Sequence, residues 1–423
     1  GLSATMDSPD QGARGIPVGA VTLVGDSLTI EVPVAAGSYV GVVDAAGQVI
    51  DGMWRQGGVE LALVVKRSEA EEPPQRPQEP TPPLPYVAED VRYPNAEAGI
   101  ELAGTLTLPE GEGPFPAVLL ISGSGPQDRN ETVFDHRPFL VVADHLTRNG
   151  IAVLRVDDRG VGESTGVFGV ATSEDFTSDA LAGVAYLADR PEVDAGAIGL
   201  VGHSEGGLVA PMVANRSGSV AFVVLLAGPG VTGEEILYLQ GERIALASGG
   251  DPATAAANRR LQERMFEVVL SQEPTGAASR LREVMVSALG SMMPEERQAL
   301  GLSDGNLEAF ISRQVAQVNS PWFRYFLVHD PAPELRALRV PILALLGELD
   351  LQVPADQNAP ALRQALAEGG NPDATVESLP GLNHLFQPAT TGAPGEYATI
   401  PTTFDPGALD RITAWILRVT GAS

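Results

Sequence analysis

The stretch GHSEGG at residues 202–207 places a serine between glycines. It follows the apolar run AIGLV at 197–201 and precedes the apolar run LVAPMV at 208–213. This order predicts a buried strand, a sharp turn and a helix, with Ser204 at the turn. The glycines leave room for a strained turn and for close packing of the helix against the strand. The Ser204 hydroxyl would then be exposed at the N-terminus of a helix, as a nucleophile that forms a covalent serine ester requires.

A second Gly-x-Ser-x-Gly match, GESTG, occupies residues 162–166. It begins several residues after the predicted strand Ile151–Val156, and no helical pattern follows it. A motif of this kind depends on its strand–turn–helix context. We therefore interpret Ser164 as a structural loop residue and Ser204 as the nucleophile.

A serine nucleophile needs a histidine to accept its proton and a carboxylate to orient that histidine. On a turn of this kind, the acid and then the histidine follow the serine in the chain. His384, in the loop after the last predicted strand, fits this order, and we predict that it is the base. The other histidines precede Ser204, adjoin it or come before the strand that should carry the acid: His136, His145, His203 and His329.

The acid should follow the predicted strand Ile342–Leu346, where the sequence reads GELDLQVP. We predict that Asp350 is the catalytic carboxylate. Glu348 lies nearer the end of the strand and remains the alternative. Asp356 fits the start of the next helix, as an N-cap or first-turn residue.

The negative charge that develops on a tetrahedral intermediate needs two preorganised N–H donors. We predict that one donor is the backbone of Glu205, the residue after the nucleophile. The second should come from the loop SGSGPQDRNE at residues 122–131, after the predicted strand Ala117–Ile121. Ser124 is slightly preferred to Gly123, and a plain glycine-rich turn is the alternative.

Strands and helices alternate from about residue 86, which predicts a doubly wound α/β sheet. After a predicted hairpin, Val91–Tyr93 with Glu101–Leu108, the predicted strands are Ala117–Ile121, Ile151–Val156, Ile198–Gly202, Phe222–Leu226, Ile342–Leu346 and Thr375–Leu379. The predicted helices are Pro138–Arg148, Glu174–Asp189, Leu208–Asn215, Ala355–Ala367 and Pro406–Val419.

Three further regions differ from this pattern. Residues 1–67 are rich in β-formers separated by glycine-containing turns, which predicts a small antiparallel β domain. Its predicted strands are Ala20–Val24, Ser27–Val34, Tyr39–Val43 and Val59–Lys66. Residues 68–85 contain many prolines and glutamates, which indicates an extended, semi-rigid linker. About residues 230–338, inside the 86–423 catalytic domain, the pattern is helical, and we expect this insertion to form a cap over the site. The alternative is a helical subdomain that only packs against the core.

Composition excludes several function classes. The net charge of -27 argues against binding to nucleic acid or to anionic membrane surfaces. The chain has no cysteine, so thiol catalysis and cysteine-based metal sites are excluded. No apolar run approaches the ~20 residues of a membrane span. Metal-binding and nucleotide-binding motifs are also missing from the sequence, so we expect no metal and no cofactor.

These motifs together resemble a bacterial α/β-hydrolase esterase family related to serine aminopeptidases and dienelactone hydrolases. The matching segments lie at 122–131, 158–164, 202–207, 322–326, 347–354 and 383–387, and they span most of residues 86–423. The segments at 52–58 and 61–67 resemble a small β-module that often precedes such esterases. The resemblance implies carboxylesterase activity on short acyl esters, with a triad of Ser204, Asp350 and His384.

Three functions remain open from the sequence. The leading hypothesis is a serine carboxylesterase with a small-molecule ester as its substrate. The same machinery could serve a serine aminopeptidase-like enzyme, with cap acids such as Glu234 and Glu235 holding an amine. The third is a catalytically silent binding or scaffold protein. Homodimer formation is left open. The chain begins at Gly1, and export to the periplasm or medium is slightly favoured over a cytoplasmic location.

Overall fold

The computed structural model describes residues 2, 4–8, 13–33, 37–56, 59–68, 76–292, 302 and 306–422. The chain divides into two compact units. The N-terminal unit comprises Gly1–Pro73 with Ala278–Gln317, and the main unit comprises Pro74–Ala277 with Val318–Ser423.

The N-terminal unit contains short antiparallel strands. A two-stranded ribbon consists of β1 (Thr5–Ser8) and β2 (Ala13–Pro17). A five-stranded sheet, with its strands in chain order, consists of β3 (Ala20–Val24), β4 (Ser27–Val32), β5 (Gly37–Val43), β6 (Val49–Gln56) and β7 (Val59–Lys66). Tyr39 is buried in the larger sheet, and its hydroxyl donates to the carbonyl oxygens of Ile50 and Leu63, each at 3.0 Å. The predicted antiparallel β-rich region is confirmed, with β1, β2 and β6 as additional strands.

The main unit is built on an eight-stranded sheet in the order β15-β14-β13-β12-β10-β11-β9-β8. Its strands are β8 (Val87–Asn95), β9 (Ile100–Leu108), β10 (Phe115–Ile121), β11 (Ala152–Val156), β12 (Val193–His203), β13 (Val220–Leu226), β14 (Ile342–Gly347) and β15 (Ala374–Leu379). Neighbours from β15 to β11 are parallel, whereas the β8–β9 hairpin pairs antiparallel with β11. The predicted doubly wound sheet is confirmed.

The helices that the structure describes are α1 (Pro138–Arg148), α2 (Ser173–Ala188), α3 (Gly206–Arg216), α4 (Gly233–Ala247), α5 (Pro252–Ser271), α6 (Pro274–Gly290), α7 (Leu307–Val318), α8 (Pro321–Val328), α9 (Ala332–Ala337), α10 (Ala355–Gly369) and α11 (Pro406–Thr420). Among them, none combines the length and apolarity needed to cross a lipid bilayer.

Helices cover both faces of the main sheet. Successive side chains of a strand point to opposite faces. Leu119 of β10 therefore belongs to the core cluster that includes residues of α2, α3 and α10, whereas Val118 belongs to the cluster that includes residues of α1 and α11. Both faces are therefore apolar, and the inner strands are almost continuous apolar runs, as in a buried parallel sheet. All six residues of β14 are buried.

The parallel strands bring their carboxyl ends to one edge of the sheet. Open α/β sheets place their ligand sites at this edge. There β10 ends at Ile121, β12 at His203 and β14 at Gly347. The segments that follow these strands contain most of the predicted site residues.

The insertion between β13 and β14 is helical in the part that the structure describes. Within the main unit, α4, α5 and α8 pack through aromatic rings, with Phe266 lying 5.1 Å from Tyr238 and 5.6 Å from Phe323 between ring centroids. Phe326 of α8 packs against Leu208 and Met212 of α3. This part of the insertion is therefore attached to the helix that follows Ser204.

Candidate active site

Ser204 occupies the tight turn between β12 and α3. Its φ of 52° lies in the left-handed region, where a residue with a side chain is strained. Two backbone hydrogen bonds of 2.8 Å hold the turn, one from Ser204 N–H to Leu226 O and one from Gly207 N–H to Ser204 O. The strand–turn–helix arrangement is the one that the sequence predicts.

Glycine is required on both sides of this turn. A Cβ on Gly202 would lie 2.1 Å from Gly206 O, and a Cβ on Gly206 would lie 2.1 Å from Ile121 O. Both distances are far below van der Waals contact, and the atoms met are backbone. The two glycines therefore allow α3 to approach β12 and β10 closely enough to place Ser204 at the sheet edge.

Asp350 and His384 form a buried hydrogen-bonded pair. His384 Nδ1 lies 2.8 Å from Asp350 Oδ2, and both side chains are buried. The other carboxylate oxygen, Oδ1, accepts the backbone N–H groups of Gln352 at 2.7 Å and Val353 at 2.9 Å. These bonds fix the carboxylate so that Oδ2 accepts a hydrogen bond from the Nδ1–H group of His384. Nε2 is then the ring nitrogen that can accept a proton. Glu348, the alternative acid, is exposed.

Ser204 and His384 line one cavity of about 130 Å³, whose walls include Ser124, Glu131 and Tyr397. Among the described residues, no hydrogen bond joins the Ser204 hydroxyl to His384. Such a bond commonly forms or shortens only when substrate is bound. Within the insertion, none of the described residues 233–277 and 318–338 lines this cavity. That the insertion forms a cap over the site therefore stays a prediction.

The two candidates for the second oxyanion donor differ in their hydrogen bonding. Gly123 N–H donates to Glu131 Oε1 at 2.6 Å, so this group is already occupied. Within the described ranges, the N–H groups of Ser124 and Glu205 have no acceptor. The geometry therefore favours the N–H of Ser124 over that of Gly123 as the second oxyanion donor. The N–H of Glu205, at the start of α3, is the first.

The carboxyl group of Asp158 holds the predicted oxyanion loop. Its two oxygens accept the Ser122 hydroxyl at 2.8 Å and the Gln127 N–H at 2.9 Å. Burial, together with the negative charges of Glu205 and Glu131, raises the pKa of Asp158 to about 7. The loop is thus connected to the end of β11 through a carboxyl group that titrates near neutral pH.

Glu131 and His203 are two buried residues at this site for which the sequence predicts no catalytic role. His203 Nδ1 lies 2.8 Å from Glu131 Oε1, and His203 Nε2 lies 3.0 Å from the backbone oxygen of His384. Glu131 also has a positive φ, 52°, and its Oε2 is buried with no hydrogen-bond partner. The only sequence signal was the position of Glu131 in the loop after β10.

Glu205 does not line this cavity, and its side chain connects other elements. Its Oε1 accepts the Ser173 hydroxyl at 2.6 Å and the Trp322 indole N–H at 2.8 Å. Burial raises the pKa of Glu205, although both hydrogen bonds act to lower it. Glu205, the residue after Ser204, therefore joins α2 to α8 of the insertion.

Ser164, in the second Gly-x-Ser-x-Gly match, has a structural environment. It is buried, its hydroxyl donates to Asp157 O at 2.7 Å, and Ser164 Oγ accepts Ala103 N–H at 2.9 Å.

Within the part of the chain that the structure describes, no group of three or more acidic or histidine side chains could hold a metal ion.

Comparison with known proteins identifies the family. Residues 118–399 match the alpha/beta hydrolase family. Esterase EstD of Thermotoga maritima is 26% identical over 326 residues, which cover 75% of this chain and 66% of that protein, just under two thirds of its length. Similar solved structures include the alpha/beta hydrolase GrgF from Penicillium sp. sh18, with a TM-score of 0.48 and 17% identity over 79% of this chain and 99% of that one. Esterase Pf2001 of Pyrococcus furiosus has a TM-score of 0.46 and 16% identity over 79% and 92%. Because the matched segment spans more than half of the sequence and contains the whole sheet edge described above, the chain belongs to the alpha/beta hydrolase family.

Proposed function

We propose that this protein is a serine carboxylesterase that hydrolyses short-chain acyl esters through an acyl-enzyme intermediate. The observation that carries the proposal is the buried Asp350–His384 pair on the same cavity as Ser204, which is held in a left-handed turn. The similarity to an esterase over most of this chain supports the same activity.

In the proposed reaction, Ser204 Oγ attacks the ester carbonyl carbon while His384 Nε2 takes the hydroxyl proton. The N–H groups of Glu205 and Ser124 stabilise the resulting oxyanion. The bond to the alcohol oxygen then breaks, and His384 returns the proton to the leaving group. Water attacks the acyl-enzyme in the same manner, which releases the carboxylic acid and restores Ser204.

The hydrogen bonding of the insertion supports an esterase over an aminopeptidase. Glu235 accepts the N–H and hydroxyl of Thr232 at the start of α4, and Glu234 accepts the hydroxyl of Tyr238 at 3.0 Å. Both acids that the sequence offered as amine ligands therefore have intramolecular partners. Parallel assays on a p-nitrophenyl ester and an aminoacyl anilide separate the two activities. Comparable turnover of the anilide would favour the peptidase, and no turnover of either would favour a silent scaffold.

Acyl-chain preference follows from the size of the cavity. A methylene group contributes about 0.8 kcal/mol when it is buried, but only while space remains. In a cavity of about 130 Å³, kcat/KM should rise over the first carbons and fall beyond about six, as overpacking begins. The measurement is kcat/KM for p-nitrophenyl esters from acetate to palmitate. A continuous rise to palmitate would instead indicate a lipase-like groove.

A further inference from the structure

Both ring nitrogens of His203 face hydrogen-bond acceptors. Nε2 faces the backbone oxygen of His384, which can only accept. Nδ1 faces Glu131 Oε1, which already accepts Gly123 N–H. Neutral imidazole has a single N–H, whereas imidazolium has two. Only the imidazolium form donates to both partners while Glu131 remains a carboxylate.

His136 provides a contrast within the same protein. It is also fully buried, with Nε2 at 3.1 Å from Tyr397 O and Nδ1 at 2.8 Å from the hydroxyl of Thr403. A hydroxyl can donate, so neutral imidazole satisfies both contacts of His136. The partner of Nδ1 therefore distinguishes the two buried histidines, because it is a carboxylate for His203 and a hydroxyl for His136.

We propose that Glu131 holds His203 as an imidazolium ion and that this pair positions the catalytic machinery. Through it, one carboxylate and one ring connect the oxyanion loop at Gly123, the residue before Ser204 and the peptide of His384. The proposal rests on the function proposed above, in which Ser204 and His384 are catalytic. Glu131 and His203 act through these residues and are positioning residues.

The distances around Gly123 show how closely the pair adjoins the nucleophile. A Cβ on Gly123 would lie 3.2 Å from Glu131 Oε1, 3.2 Å from Ser204 Cβ and 3.5 Å from His203 Nδ1. The rings of His203 and His384 have centroids 4.9 Å apart. A small displacement of the pair would therefore move the reacting groups, and a misplacement of about 1 Å can reduce the rate ~100-fold.

The charges around His203 support its protonated form. Burial disfavours the cation, but Glu131, the His384 carbonyl and Asp350 together outweigh this effect and raise the pKa of His203. The other ionisable groups nearby are His384 itself, Tyr397 and, beyond Glu131, Asp158. The unpartnered Glu131 Oε2 leaves His203 and the Gly123 N–H as the groups that stabilise this carboxylate.

The first test observes the protonation state without any catalytic assay. In protein labelled with 15N-histidine, each of the five imidazole signals reports whether its nitrogens carry protons. At about pH 7.5, one unit above the ordinary pKa of histidine, His203 should show two protonated nitrogens and His136 one. The variants His203→Gln and His136→Gln assign the signals. A single protonated nitrogen on His203 would overturn the proposal.

The second test examines the positioning role. Glu131→Gln retains an oxygen acceptor but removes the negative charge, so His203 should lose its proton at lower pH and one of its two hydrogen bonds with it. We expect kcat to fall about 10- to 100-fold with little change in KM, and the alkaline limb of the kcat–pH profile to move to lower pH. His203→Gln should lower kcat similarly and lack this limb. In His136→Gln the position of the limb should not change.

The outcomes separate this inference from the proposed function. Labelling of Ser204 by a fluorophosphonate probe tests the nucleophile independently of the pair. If Ser204 is labelled but Glu131→Gln has the wild-type kcat and pH profile, the positioning role is wrong and the esterase proposal stands. If Ser204→Ala retains full activity, the proposed function fails. Should Glu131→Gln not fold, the imidazole signals of the wild-type protein still decide the protonation state.

Discussion

Trp322 donates its indole N–H to Glu205 Oε1 at 2.8 Å, which joins a helix of the insertion to the residue after Ser204. Glu205 is buried, so its carboxyl group depends on the few donors within reach. A buried polar group that loses a partner costs about 1–3 kcal/mol of stability. This relationship predicts how the protein responds to loss of the indole N–H.

Trp322→Phe should lower the free energy of unfolding by about 1–3 kcal/mol, because it retains an aromatic ring but removes the donor to Glu205. Trp415→Phe is the matched control, since the indole nitrogen of Trp415 is buried with no hydrogen-bond partner. Urea denaturation of both variants measures the difference. Equal losses would mean that ring volume, and not the hydrogen bond, determines the effect.

Ser204→Ala should abolish ester hydrolysis, with a loss in kcat on the order of 10⁴-fold or more. Ser164→Ala should retain most of the activity and instead lose about 1–2 kcal/mol of stability, since its hydroxyl makes two buried hydrogen bonds. Kinetics on p-nitrophenyl butyrate and thermal unfolding distinguish the two serines. Activity that survives in Ser204→Ala but not in Ser164→Ala would refute the assignment.

Asp350→Asn should reduce kcat by about 10⁴-fold while the protein remains folded. The amide oxygen would take the place of Oδ1, which accepts the N–H groups of Gln352 and Val353. The amide NH₂ would then face His384 Nδ1 and force the tautomer whose Nε2 already carries a proton. Such a histidine cannot accept the proton of Ser204.

Glu348→Gln is the control for this prediction, because Glu348 also follows β14 but is exposed. It should retain wild-type kcat. Circular dichroism must show that both variants are folded. If Glu348→Gln is inactive and Asp350→Asn is active, the acid has been assigned to the wrong residue.

The sheet could be predicted because its strands are buried on both faces. Their continuous apolar runs stand out in the sequence, and the helix Pro138–Arg148 was predicted with the bounds that it has in the structure. The strand Val49–Gln56 was missed because Asp51 and Gly52 interrupt its apolar pattern. The edge strand Val87–Asn95 was predicted too short, since Glu89, Asp90 and Arg92 interrupt its apolar pattern.

The Asp350–His384 pair could be anticipated from chain order, because each residue follows a recognisable strand. The contact between Glu131 and His203 could not, because 72 positions separate the two residues and neither of the motifs that contain them indicates the other as its partner. The sequence around Glu131 indicates only a loop. The backbone of this region is left-handed at Glu131, Phe134 and Asp135, and nothing in the local sequence requires that conformation.

The last prediction concerns stability in acid. Burial, and then the positive charge of Arg76, lower the pKa of His136 to about 4. The guanidinium of Arg76, from the proline-rich segment, donates to the carbonyl oxygens of Phe134 and Asp135 beside it. As the pH falls from about 6.5 towards 4, the unfolded chain therefore binds a proton that the folded protein does not. Folding is destabilised over this range by up to about 3 kcal/mol.

His136→Gln removes this titration but can still donate an amide N–H to Tyr397 O. The variant should be less stable than the wild-type protein at pH 7, and the difference between them should shrink as the pH falls through this range. Urea denaturation at a series of pH values measures the difference in the free energy of unfolding. The titration of the carboxyl groups is common to both proteins and cancels in this difference. A difference that stays constant with pH would mean that the pKa of His136 is the same in the folded and unfolded states. A difference that grows as the pH falls would mean that His136 is already protonated in the folded state. Either result would exclude the lowered pKa of His136 on which this prediction depends.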